Sequence, residues 1–413
     1  MPRSNDHDLS LYDLTAPQFL ADPSPVLNRM RNEGPLVRTC LPLFGELFLT
    51  TGDEAARSLL KDSRFSRDPA AAGGKPIQRY FWWMPPFIRP LMESMLAKDG
   101  DEHKRLRSLV DHAFSRHSIE DMRPELAVMA DRLLDPLPTD VPVEIVRAYA
   151  APLPLMAICA LLGLPKADRP RVSRWISPIS RPRGVLTLSR ALPGLYRTVR
   201  YFRKLFEEVR TDPERVPAGL IRELTRVGAD GDMLSENELL SMVFTLFAAG
   251  HVTTVHLISD AIVGLLDLPE PPSSIVSGPA RLSLAVEEFM RFYTPVLMTK
   301  PHFATEDLDF ESVPIKRGDR VSALLIGANY DPARFDRPEE MRLDRRPNAH
   351  LGFGHGLHVC LGMQLARIEA QVALERLFTR FPALRLADTH KAVTFSKQMG
   401  VRGFERLDLR LKP

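Results

Sequence analysis

Apolar positions along the chain recur mostly at helical spacing, with short alternating stretches near both ends. The longest helical pattern opens at Ser235-Glu-Asn-Glu238, a capping box in which Ser235 caps and Glu238 reaches back. Helix-compatible residues then continue to Leu268, where Pro269 ends the run. This predicts a helix of roughly 33 residues, or ~50 Å. Its middle, Met242 to Gly250, is apolar on all sides, as in a helix covered all round. A second strong pattern runs from Leu361 to Phe381, with Leu365, Ile368, Val372, Leu374, Leu377 and Phe378 forming a stripe, and Pro382 stops it.

Shorter helices are expected over Pro25–Arg31, Asp53–Lys61 (capped by Asp53), Asp99–Phe114, Ile119–Leu134, Pro142–Leu162 and Leu282–Phe292. Further helices over Ala167–Val209 are expected to be interrupted at Pro178 and Pro193. Leu36–Thr51 alternates around Gly45 and predicts a β-hairpin. Val296–Phe303, Val321–Gly327 and the tail Ala392–Leu411 read as strands. An aromatic cluster, Tyr80-Phe81-Trp82-Trp83, reads either as a satellite core or as a lid over an apolar ligand.

A chain of 413 residues with a formal net charge of +3 has no overall charge signature of a nucleic-acid binder. Three well-separated cysteines, Cys40, Cys159 and Cys360, give no indication of a disulfide framework or a zinc cluster. The first ten residues are polar and carry no apolar signal core, so a cytoplasmic protein without a membrane anchor is expected.

Chemistry concentrates before Leu361. Gly352, Gly354 and Gly356 precede Cys360, and Gly362 follows it. Glycine this dense permits left-handed backbone and close approach to a flat body. A cysteine at the start of a helix is also placed where unpaired N–H groups favour a thiolate. Elsewhere, His103 and Arg107 are four apart on one helix, and Glu288 and Arg291 are three apart on another.

The run Phe353-Gly354-x-Gly356-x-His358-x-Cys360-Leu361-Gly362 resembles the haem-binding signature of cytochromes P450. The His103-x-x-x-Arg107 pair, the Glu288-x-x-Arg291 pair and the long central helix match further motifs of that family in the same order, over about residues 100 to 410. The resemblance implies a mainly α fold with small β-sheets to one side, as a single catalytic domain over 1–413. It implies haem b, with Cys360 as thiolate ligand of the iron. Phe353, Gly354 and Gly362 would then shape the loop around the sulfur, and His103, Arg107 and His358 would bind haem propionates. Where the family commonly has a propionate-binding arginine, this chain has His302, with Lys300 as a second candidate. Glu288 and Arg291 would form a buried ion pair completed by Arg345 or Arg346.

On the same grounds Ala249, Gly250 and Thr253 would handle oxygen and protons, and Phe244, Phe247, Ala248, Val296, Leu297, Met298 and Met399 would line an apolar pocket. One departure stands out: Val252 occupies a position where the family commonly carries an acid. The implied activity is insertion of one atom of O2 into a hydrophobic small molecule. Electrons would come from a separate ferredoxin and ferredoxin reductase, and the protein would be a monomer. Lys104, Arg105, Arg116 and Arg367 are candidates for a basic docking patch. Val252 keeps an atypical reaction open (oxidative coupling, rearrangement or peroxide-driven oxidation), with His251 as a stand-in for the acid. A non-catalytic haem or ligand binder is a third reading.

Overall fold

The computed structural model describes residues 12–42, 44–75, 85–92, 94–176, 185–225, 234–387, 393–396 and 398–412. The aromatic cluster at 80–83 lies outside them. The chain divides into two compact units, one of Met1–Ile77, Glu287–Cys360 and Phe395–Gly403, the other of Gln78–Val286, Leu361–Thr394 and Phe404–Pro413.

In chain order the principal helices are α1 (Ser24–Glu33), α2 (Asp53–Leu59), α3 (Gly100–Asp111), α4 (Arg123–Leu134), α5 (Pro152–Leu161), α6 (Arg169–Ile176), α7 (Val185–Thr211), α8 (Glu236–Leu266), α9 (Pro279–Tyr293) and α10 (Met363–Arg380). The strands used below are β1 (Leu36–Leu41), β2 (Gly45–Thr50), β3 (Phe65–Ser66), β4 (Val143–Glu144), β5 (His302–Ala304), β6 (Leu308–Phe310), β7 (Val313–Ile315), β8 (Arg320–Ser322), β9 (Arg385–Leu386), β10 (Val393–Phe395) and β11 (Phe404–Arg410).

In the first unit the predicted hairpin is present, β1 pairing β2 from Leu36↔Thr50 to Leu41↔Gly45. It continues into a five-stranded sheet of order β1-β2-β8-β5-β3, while β6 and β7 make a separate hairpin. Beneath the sheet lie Leu27, Met30, Leu47, Leu49, Leu297, Leu324 and Ile326. Three expectations are corrected here. The end of α2 is not capped by Asp53, whose carboxylate turns to Arg57 at 2.8 Å. Instead the Asp53 amide donates to the Asp331 carboxylate at 2.8 Å, a cap supplied from 278 residues away. Only Val321 and Ser322 of the second predicted strand lie in β8, because Leu325–Asn329 closes into a helical turn. Likewise Val296 and Met298 make single bridges, to Val401 and Leu324, before β5 begins.

The second unit is built on α8, whose capping box is present and whose 31 residues end two short of the predicted Leu268. The helix is apolar and long enough to cross a membrane, yet 72% of its most apolar window is buried inside the protein, which makes it a core helix. It packs against α5 and α10, and α10 packs in turn on α4. The last contact is tied by Arg376 to Asp131 at 2.6 Å, and the Tyr149 hydroxyl, from the turn at Val146–Ala150, donates to the Ala373 carbonyl on α10 at 2.8 Å. Pro193 does not break the chain as predicted: it sits inside α7. At the next residue, a Cβ on Gly194 would lie 2.8 Å from the Trp175 carbonyl, so α6 and α7 meet there through glycine. A small sheet of β10, β11 and β4, with β9 also on β11, completes the unit.

Candidate functional site

In the first unit the loop before Cys360 is built from left-handed turns. Gly354 and Gly356 have φ of +72° and +69°. At Gly356 a Cβ would also come within 2.2 Å of the Leu60 carbonyl oxygen, so both conformation and space demand glycine. Gly352 is needed for space alone, since a Cβ there would meet the Met290 side chain at 2.5 Å. The turn closes where the Cys360 amide donates to the Phe353 carbonyl at 2.8 Å, leaving the cysteine half-buried. Cys360 stands two residues ahead of Gly362, the N-cap of α10, so the helix starts slightly later than predicted. Gly362 itself has φ of −82°, which any residue can adopt.

The Glu288–Arg291 pair is fully buried, with Arg291 Nη2 2.8 Å and Nε 2.9 Å from the carboxylate. Arg291 also donates to the carbonyls of Asn329, Pro338 and Glu340. Glu288 accepts from Arg345 Nε at 3.2 Å, from the Arg342 amide at 2.9 Å and from Asn348 Nδ2 at 3.0 Å. Arg345 is therefore the third member, whereas Arg346 is exposed. With this many bonds the buried carboxylate and guanidinium are each well supplied with partners. Asn348, Asn329 and His350 were missed by motif reading. His350 sits 3.2 Å from Glu287 and accepts the Gly352 amide, bracing the loop from its N-terminal side. Arg402 is another omission: buried, it donates to the carbonyls of Leu20, Phe292 and Tyr293.

His302 is buried at the start of β5, while Lys300 is exposed and its carbonyl accepts from Arg67. His358 is half-buried in the loop.

In the second unit His103 is buried on α3, and Arg107, one turn on, lies 3.3 Å from Asp111. Helix α8 is covered along most of its length, with an interruption in the middle. Ala248 and Ala249 are exposed and Gly250 and Thr253 are half-buried, between covered flanks on both sides. Two hydroxyls there turn back on the helix, Thr253 Oγ1 donating to the Ala249 carbonyl at 2.8 Å and Thr254 Oγ1 to that of Gly250 at 3.0 Å. Gly250 has a packing reason as well, since a Cβ would touch Ile158 Cδ1 at 3.0 Å. Val252 is 8% exposed. His251, the suggested stand-in, is buried with Nε2 3.0 Å from the Ala151 carbonyl. It lies about 160° around the helix from Thr253.

Several expected pocket residues belong to cores instead. Phe247 is 1% exposed and packs on Phe202, with ring centroids 6.1 Å apart; Leu297 is 0% and Met298 5% exposed in the first unit's core. Phe244, Ala248, Val296 and Met399 keep some surface. Of the proposed docking patch, Lys104 pairs with Asp101 and Arg105 with Glu238, which removes much of their free charge.

Among the thiols, Cys159 is buried, and burial pushes it up to about 11, so it stays protonated. In the first unit the half-buried Cys360 in its glycine turn, with His302 and His358, and in the second His103, Arg107 and the uncovered small residues of α8 are each of a chemistry that suits a haem with two carboxylates.

The family model for cytochrome P450 matches residues 282–404. A polyketide biosynthesis cytochrome P450, PksS of Bacillus subtilis, is 34% identical over 95% of this chain and 97% of that protein. Its solved structure covers 98% of this chain and 100% of its own, with a TM-score of 0.86. A vitamin D(3) 25-hydroxylase from Pseudonocardia autotrophica is 35% identical over 97% of each chain. The structure of P450BioI in complex with a hexadec-9Z-enoic acid-ligated acyl carrier protein aligns at 31% identity and a TM-score of 0.82, covering 95% of this chain and 99% of its own.

The chain belongs to the cytochrome P450 family: it is a haem-thiolate monooxygenase of the bacterial type, with haem b as its cofactor. As such it acts on a small molecule and takes its electrons from redox partners.

Proposed function

We propose that this P450 hydroxylates or epoxidises a hydrophobic small molecule in secondary metabolism or catabolism, drawing electrons from a separate ferredoxin and ferredoxin reductase in the cytoplasm. The observation that carries this reading is the uncovered run of small residues, Ala248 to Gly250 with Thr253, in the otherwise covered α8. An apolar guest is held there at little cost in polar desolvation. Neither unit is contiguous in sequence, which supports treating the chain as one catalytic domain.

Haem, when bound, supplies the activation of dioxygen. Cys360 would hold the haem iron through its sulfur: the cysteine is half-buried in its loop, and Phe353 and the left-handed glycines hold that turn. His103, Arg107, His302 and His358 are assigned to the propionates, each bringing N–H donors of positive or switchable charge. Thr253 holds a proton at Oγ1, parked on the Ala249 carbonyl. Releasing that carbonyl frees the hydroxyl to donate elsewhere, while the neighbouring Val252 cannot resupply it.

Val252 supports a second reading, an atypical oxidation with no relay through an acid at that position. A carrier-tethered substrate is a related option, since P450BioI is solved with one. The first test is a Soret-shift screen of purified holoenzyme. Hydrophobic compounds should shift the band and charged sugars should not; hits confined to polar ions would overturn the proposal. Reduction under carbon monoxide should give the strongly red-shifted band of thiolate ligation, and Cys360→His should abolish it.

A further inference from the structure

The charge of this protein is unevenly placed. From Arg169 to Thr211 eleven Lys or Arg stand against two acids, Glu207 and Glu208, a net +9; with +3 for the entire chain, everything else together carries −6. Helix α7 buries Leu195, Val199, Phe202, Phe206 and Val209 and turns Tyr196, Arg197, Arg200 and Lys204 outward. At 100° per residue these four fall within about 100° of one another, on a single face. Arg174 is exposed on α6, which packs against α7 where Trp175 abuts Gly194.

Most charged side chains on such a face are neutralised locally, as Arg203 is by Glu236 at 2.7 Å and Lys204 by Glu208 at 3.4 Å. Arg174, Arg197 and Arg200 are exposed and have no acidic partner among the described residues. Between them stands Tyr196, 51% exposed, whose ring meets Phe87 edge-on at 5.4 Å. An exposed tyrosine backed by a half-buried phenylalanine and flanked by arginines has the composition of a protein-binding surface. A membrane-lying helix would turn its apolar stripe outward, whereas here that stripe is buried.

We propose that the outer face of α6 and α7, centred on Tyr196 and the unpaired Arg174, Arg197 and Arg200, docks an acidic carrier protein that delivers the substrate as a thioester. This rests on the hydrophobic-guest reading above and names its source. Arginine suits the partner, since its fork pairs carboxylates and a phosphodiester arm in bidentate fashion.

The test uses holoenzyme and a fluorescently labelled bacterial fatty-acid acyl carrier protein loaded with a hexadecanoyl thioester. Binding should be measurable at low salt and weaken steeply as salt rises. Arg174→Glu, Arg197→Glu and Arg200→Glu combined should weaken it by at least about tenfold, and the matching Lys variants should retain it. Tyr196→Ala should weaken it several-fold without changing the salt dependence. The charge-reversed protein should keep its carbon monoxide spectrum and its Soret shift with free hexadecanoate, which shows that the fold and the hydrophobic site are intact. If hexadecanoate shifts neither protein, the guest reading fails separately. Equal carrier binding by wild type and the charge-reversed protein overturns the docking proposal. So does loss of ferredoxin-supported reduction in that variant, which would make this the electron-donor face, or preferential binding to phosphatidylglycerol vesicles, which would make it a membrane face.

Discussion

His350 Nε2 lies 3.2 Å from the carboxylate of Glu287, and its Nδ1 accepts the Gly352 amide at 3.1 Å. The second contact fixes the tautomer: a nitrogen that accepts an N–H carries no proton, so the ring proton sits on Nε2 and points at Glu287. The ring thus links α9 to the first glycine of the cysteine loop. His350→Ala should cost about 1–3 kcal/mol, the price of leaving a buried polar group unsatisfied. Thermal unfolding of holoenzyme should show it, together with faster haem loss. Unchanged haem retention would show that the loop is held without this ring.

The loop glycines should not be equivalent. Gly354→Ala adds a left-handed penalty of roughly 1–2 kcal/mol. Gly356→Ala adds the same penalty plus a clash with the Leu60 carbonyl, so it should prevent folding or haem uptake. Gly362→Ala should be nearly silent, because its φ is −82° and a Cβ there finds only ordinary contact with Phe114 at 4.0 Å. The yield of carbon monoxide-reactive haem protein ranks the three. A damaging Gly362→Ala would point to a role for that residue that its backbone does not reveal.

Removing one member of the Glu288–Arg291–Arg345 cluster leaves a buried charge without its partner. Arg291→Ala or Glu288→Ala should lower stability by about 3–5 kcal/mol. Arg346→Ala, next to the cluster in sequence but exposed, should stay within about 0.5 kcal/mol of wild type. Denaturant midpoints measured on all three decide this, and a large effect at Arg346 would contradict the assignment of Arg345.

Glu369 on α10 is buried, its Oε1 has no hydrogen-bond partner among the described residues, and burial pushes its carboxyl well above the ordinary 4.5. A raised folded-state value means that its contribution is fully present below 4.5 and is lost as pH climbs towards that value, because the unfolded chain ionises first. Glu369→Gln should therefore match wild type near pH 4 and become progressively more stable than it above pH 4.5. Melting temperatures across pH 4 to 8 test this; parallel curves would mean that Glu369 does not titrate differently on folding.

Much of this architecture was legible because it is written locally. Ser235 and Glu238 announce the start of α8, its unbroken apolar run announces burial, and the glycines around Cys360 announce a tight loop. Long-range contacts were not legible. Nothing near Asp53 indicates that Asp331 will cap α2, and nothing near Arg402 indicates three backbone carbonyls awaiting it. Phe247 and Leu297 show the other limit: an apolar side chain suits a pocket and a core equally well, and only packing separates them. Pro193 failed as a helix break because burial of the α7 stripe outweighs one missing backbone bond.

The last prediction concerns Thr253 and Val252. Thr253 Oγ1 is 2.8 Å from the Ala249 carbonyl on the uncovered stretch of α8, with no acid beside it and His251 turned to Ala151. If this hydroxyl hands on protons, Thr253→Ala should divert reducing equivalents into hydrogen peroxide and lower product per NAD(P)H consumed by about tenfold or more, the lower end of what a positioned proton donor contributes. Thr253→Ser keeps the hydroxyl and should restore most of the coupling. Val252→Asp places a carboxylate beside the hydroxyl and should speed oxygen consumption. It should also lower the melting temperature, since that position is only 8% exposed and an ionised group there loses hydration. These measurements need a reconstituted ferredoxin chain and a substrate identified by Soret shift. Should Thr253→Ala leave coupling and rate untouched, proton delivery does not run through this helix, and the atypical oxidation becomes the better account of Val252.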